Sequence, residues 1–67
     1  MSKQAVQVWP LEDAPRALRA LTRRVEGYVV RVPKALGDFI PPAWWLVPVE
    51  EHVLVNGDRV LIGGGGT

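Results

Sequence analysis

The sequence predicts an α+β fold: one main amphipathic helix packed on a small, mostly antiparallel sheet that ends in a C-terminal β-hairpin. Three observations predict it. Ala14, Ala17, Leu18, Leu21 and Val25 recur at helical spacing and form one apolar stripe. Tyr28 to Val32 is β-branched and aromatic, interrupted only by Arg31. Asn56-Gly57 stands between two apolar runs, and this dipeptide supplies the positive φ values that a two-residue hairpin turn demands.

The elements follow in chain order. Gln4, Val6 and Val8 alternate with Ala5, Gln7 and Trp9, which predicts a short strand stopped by Pro10. Asp13 is a good helix N-cap, and Pro15 suits a first helical turn, where a missing N–H costs nothing. Gly27 stands where a helix expects a left-handed C-terminal residue. Glu12 and Asp13 at one end, and Arg23 and Arg24 at the other, complement the helix dipole. A helix of about ten residues between two strands fits a crossover or split β-α-β arrangement.

In the strand Tyr28–Val32, Tyr28, Val30 and Val32 share one face, and Val29 and Arg31 the other. Pro33 to Gly37 fits a single helical turn. Phe39-Ile40-Pro41-Pro42 is extended and stiff, because paired prolines exclude helix. Ala43 to Val47 reads as a strand that Pro48 ends or confines to an edge. His52–Val55 and Arg59–Ile62 are the arms of the hairpin, with Val53 opposite Val60, His52 opposite Leu61 and Leu54 opposite Arg59. Residues 1–62 form the domain and residues 63–67 a glycine-rich tail, for which flexibility is the default reading.

Composition narrows the function classes. A chain of 67 residues holds one domain and buries only about 60% of its unfolded surface, so it needs a well-used core or a partner. There is no cysteine, hence neither a disulfide framework nor a cysteine-based zinc site. The net charge of +1 is too balanced to mark a dedicated nucleic-acid binder. The N-terminus has no signal-peptide pattern, and the stretch Phe39–Val49, broken by Pro41, Pro42 and Pro48, is short of a membrane span. The expected location is the cytoplasm, or a particle assembled there.

Catalytic chemistry is scarce. The aliphatic hydroxyls are Ser2, Thr22 and Thr67, and His52 is the only histidine. A nucleophile, a base and an orienting group have no obvious source, so no enzyme, catalytic residue, cofactor or small-molecule substrate is expected. Glu50 and His52 share a strand face, but two ligands do not make a metal site.

Binding chemistry is better represented. Trp44 and Trp45 are adjacent, so in a strand they face opposite sides, and one of them lacks a core behind it. Ile40-Pro41 before them is rigid and docks at little entropic cost. The hairpin carries apolar residues on both faces, Leu54 and Leu61 among them, which suits a central strand or an edge paired across subunits. Trp44, Trp45, Ile40, Pro41, Leu54 and Leu61 are the candidate protein interface. The alternative is nucleic-acid contact through Arg16, Arg19, Arg23 and Arg24, the first three spaced to share a helix face, in a winged-helix or excisionase-like regulator.

Pro10 to Leu21, running on to Gly27-Tyr28-Val29-Val30, resembles the closing helix and strand of zinc-type alcohol dehydrogenases and quinone reductases. The resemblance covers about a third of the chain. The chain has neither a dinucleotide-binding fingerprint nor a zinc ligand set, so no residue role follows from it. The function expected from the sequence is a non-enzymatic interaction or structural subunit, oligomeric or part of a larger assembly such as a phage particle or host-factor inhibitor complex. Its partner is another protein or a second copy of itself; nucleic acid ranks below both, and no membrane is involved.

Overall fold

Two strands of this chain have no face to give to water. In Tyr28–Val32, Val29, Val30 and Val32 are fully buried; in Arg59–Gly63, Val60 and Ile62 are fully buried and Leu61 nearly so. Such strands are stable only at the centre of a sheet covered on both sides. The computed structural model, which describes residues 5–42 and 44–64, places them there. Its four strands are β1 (Gln7–Pro10), β2 (Tyr28–Val32), β3 (Val49–Val53) and β4 (Arg59–Gly63), all antiparallel, in the order β1-β2-β4-β3.

Each face has its own core. Val29, Val60 and Ile62 pack under Leu11, Ala14 and Leu18, with Trp9, Leu21 and Leu54 at the margin. Val30, Val32 and Leu61 pack under Leu46, with Val6, Phe39 and Trp45 beside them. Burying a Val, Leu or Ile side chain contributes about 1.5–3 kcal/mol, against less than about 1 for an exposed ion pair. The apolar faces of β2 and β4 therefore set the register, and the polar contacts trim it.

The expected main helix packed on the sheet does not form, so the α+β reading is corrected to a four-stranded antiparallel sheet with little helix. Among the described residues no helix reaches seven residues. Residues 11–19 make a 3₁₀ turn (Leu11–Asp13) and a single α-helical turn, α1 (Arg16–Arg19). Pro15 is the reason at the front. It forces Ala14 into an extended conformation (φ −70°, ψ 153°) and is itself extended (ψ 144°), so it precedes the helix and detaches Asp13 from it. Thr22 is the reason at the back. Its hydroxyl accepts the Arg24 N–H (3.1 Å), a local bond that competes with helix continuation. Val25, the last residue of the apolar stripe, is 84% exposed.

Gly27 is not a helix cap. It opens β2 with φ +123°, its carbonyl accepts the Leu11 N–H (2.9 Å), and a Cβ there would collide with the Gly63 carbonyl. The sequence does locate β2 and the turn after Pro33, a 3₁₀ turn at Lys34–Leu36. The strand expected at Ala43–Val47 is absent from its described residues: Trp44 and Trp45 lie in a turn closed by a bond from the Trp45 N–H to the Pro42 carbonyl (3.0 Å). Ala43 itself, Gln4 at the start of the first expected strand, and residues 65–67 of the expected tail lie outside the described residues. Gly63 belongs to β4, and Gly63 and Gly64 are buried.

The expected hairpin is corrected in turn and register. Gly57 N–H bonds to the Leu54 carbonyl (2.9 Å) and Leu54 N–H to the Asp58 carbonyl (2.8 Å), and Gly57 has φ +95°. This is a three-residue loop, Val55-Asn56-Gly57, with a glycine bulge. The extra residue shifts the pairing by one: Val53 faces Arg59 and His52 faces Val60. A one-residue slip exchanges the faces of a strand, so Glu50 and His52 lie on the Leu18 side, and Glu51 on the Leu46 side.

Asp58 holds this loop. It accepts from Arg31 (Nη2 2.7 Å, Nε 3.0 Å), from the Lys34 backbone N–H (3.0 Å) and from Asn56 (3.3 Å). The Arg31 bond, then the Lys34 N–H, hold its carboxyl below the ordinary carboxylate range, with desolvation opposing them. On the other face Arg59 donates to Glu51 (2.8 Å) and to the carbonyls of Gly37 (2.7 Å) and Phe39 (3.3 Å), tying the covering loop to the sheet.

Two expectations follow. A Cβ at Gly63 would collide with the Pro48 carbonyl and lie 3.0 Å from the Leu46 Cβ. Gly63→Ala should therefore cost about 1–3 kcal/mol and lower the thermal midpoint by at least about 4 °C, read by circular dichroism. Asp58 has a depressed folded-state pKa, so its contribution is present at neutral pH and is lost as pH falls through that value. The fall in urea midpoint between neutral pH and about pH 2 should be smaller in Asp58→Asn than in the wild-type chain.

Candidate functional site

The segment Phe39–Val47 alternates between anchor and exposed residue. Phe39 meets Trp45 edge-on, with ring centroids 6.4 Å apart at 81°. Leu46 is buried against Val30, Val32 and Leu61. Between these anchors Ile40 is 81% exposed and Trp44 77% exposed, with Val47 exposed beyond them. Two consecutive prolines stiffen the path, the bond from Trp45 to Pro42 closes the turn, and Arg59 clamps its start at Gly37 and Phe39. A large apolar ring is thus held in solvent on a backbone that has little freedom left to lose.

The sequence-predicted interface divides here. Trp44 and Ile40 are outward, Pro41 is half-buried, and Trp45 packs on the core margin. The adjacent tryptophans do point apart, but on a turn instead of a strand. Leu61 is buried in the central strand and Leu54 lies against the Leu18 core, so neither belongs to the exposed patch. The two apolar faces of β4 are met inside the chain, by its central place in the sheet.

The arginine set is not assembled as a helix face. Arg16 and Arg19 are exposed on α1, which ends there; Arg23 is exposed beyond it. Arg24 is half-buried, and its Nε is buried without a hydrogen-bond partner among the described residues. It lines a groove of about 610 Å³ with Glu12, Glu26, Tyr28, Val47 and Gly64. These side chains supply charges and a phenol.

Comparison with protein-family models, curated proteins and solved structures finds no match. The geometry therefore carries the functional reading.

Thr22 joins the Glu50 and His52 pair whose shared strand face the sequence predicts. Glu50 accepts the Thr22 hydroxyl (3.0 Å) on one carboxylate oxygen and lies 3.4 Å from His52 Nε2 with the other. Thr22 and His52 each meet Glu50 and make no hydrogen bond with one another. The Thr22 proton is therefore directed at the Glu50 carboxylate and not at His52. Among the described residues no group of three or more His, Cys, Asp or Glu could hold a metal, and no helix is long and apolar enough to cross a membrane. Thr22 was missed because its partner is distant in sequence; Arg31 could have been noticed as a lone charge in a strand that otherwise has none.

The two tryptophans should separate cleanly by experiment. Trp45→Ala should cost about 2 kcal/mol or more in urea unfolding, whereas Trp44→Ala should stay within about 0.5 kcal/mol. Acrylamide quenching of the folded protein should fall more in Trp44→Ala than in Trp45→Ala.

Proposed function

We propose that this chain is a non-enzymatic protein-binding or structural subunit that works within an oligomer or larger assembly. The single observation that supports it is Trp44, with Ile40, held in solvent by a pre-ordered proline-stiffened loop. Tryptophan buries a large rigid area and recurs among interface residues that dominate affinity. A loop already fixed by Arg59, Phe39 and Trp45 loses little entropy on docking. The setting expected from the sequence, a phage particle or host-factor inhibitor complex formed in the cytoplasm, belongs to this proposal.

The nucleic-acid reading has less support. Reading a major groove by a winged-helix protein takes a helix that enters it. The four residues of α1 are too few, and Arg59 and Asp58, near the would-be wing tip, are both engaged within the chain.

Sedimentation velocity over a concentration series, at low and high salt, tests the proposal. The expected result is an association that salt barely changes and that Trp44→Ala with Ile40→Ser weakens about tenfold or more. A monomer at all concentrations with nothing co-purifying would overturn it. So would salt-sensitive retention of DNA that disappears when Arg16, Arg19 and Arg23 are neutralised.

A further inference from the structure

The two outer strands of the sheet differ in what they leave unpaired. In an antiparallel ladder, alternate residues turn both backbone groups toward the neighbour and the rest turn both outward. The bond from the Leu54 N–H to the Asp58 carbonyl fixes the phase on β3: Leu54, His52 and Glu50 turn toward β4, and Val53, Glu51 and Val49 turn outward. Among the described residues no backbone hydrogen bond outside the ladder with β4 reaches Val49–Val53. The phase carries across β2 to β1, where Val8 and Pro10 turn outward. Proline has no N–H, so the β1 edge has lost a donor. The β3 edge is complete, without the lysine or proline that often blunts an edge strand.

The sequence of β3, Val49-Glu50-Glu51-His52-Val53, is complementary to itself when reversed. Centred on Glu51, an antiparallel copy places Val49 opposite the partner's Val53 and Glu50 opposite the partner's His52. This register also satisfies the backbone: two hydrogen bonds form at each pairing of Val49 with the partner's Val53, Glu51 with the partner's Glu51, and Val53 with the partner's Val49. Glu50 and the partner's His52 then occupy the non-hydrogen-bonded positions, where side chains approach most closely. Within one chain His52 is 3.4 Å from Glu50, a long contact that leaves it donor capacity. Val49 (48% exposed) and Val53 (68% exposed) gain cover. Glu51 opposite the partner's Glu51 is the unfavourable pair, and Arg59 at 2.8 Å partly neutralises each.

From this complementarity of side-chain hydrogen bonding and backbone phase we infer that β3 is a homodimer edge, pairing antiparallel with β3 of a second copy about Glu51. The inference rests on reading the chain as an assembling subunit, and it names the partner at a surface separate from Trp44.

Analytical ultracentrifugation of the full chain tests it with three variants. Val53→Pro removes an outward N–H and no bond to β4, so it should give a folded monomer, with folding checked by circular dichroism. His52→Glu sets like charges opposite each other and should weaken the dimer about tenfold or more. Adding Glu50→Lys to His52→Glu sets opposite charges across the interface and should recover most of the loss, which a misfolded variant would not do. A wild-type monomer at millimolar concentration, or a dimer indifferent to both Val53→Pro and His52→Glu, would overturn the inference. Association lost with Trp44→Ala but kept in Val53→Pro would overturn the edge and leave the proposed function standing. A Val53-dependent dimer indifferent to Trp44 and Ile40 would support the edge and remove the basis of that proposal.

Discussion

Val60, Leu61 and Ile62 place three consecutive apolar side chains on alternating sides of one strand, and water can be kept from both sides only by two separate covers. The covers come from the stretches 11–21 and 39–46. Neither is a regular element of any length. Each is a series of prolines, turns and single anchoring side chains.

Two guanidinium groups fasten loops to the sheet. Arg31 reaches from β2 to Asp58 at the end of the loop before β4, and Arg59 reaches from β4 to carbonyls of the loop over the other face. Both are only partly buried, so their contribution is geometric: they select one loop path among several that would hide the same apolar area. Gly27 and Gly63 admit no side chain: a Cβ at Gly27, whose φ is also positive, would meet the Gly63 carbonyl, and one at Gly63 would meet the Pro48 carbonyl.

What could be read from the sequence was local, and what could not was decided by competition between distant parts. β2 was legible because Val29, Val30 and Val32 favour strand with or without partners. The helix was misread because each of its signals had a second meaning: Pro15 fits both a first turn and the residue before one, and Thr22 is neutral until Glu50 is brought beside it by β3. Asn56-Gly57 announced a turn correctly placed in the chain but one residue short, since Asp58 is held by Arg31 from β2. The exposed site was legible in part. Adjacent tryptophans required one outward ring, but only the anchoring of Trp45 and Leu46 shows that it is Trp44.

Pro10 in β1 has a consequence for the size of anything this sheet builds. Adding strands without limit needs two competent edges per molecule, one to receive and one to offer. Here one border lacks the Pro10 donor, which makes it the weaker of the two edges. An antiparallel pairing at β3 would leave only such weakened edges facing outward, which disfavours growth into a fibre.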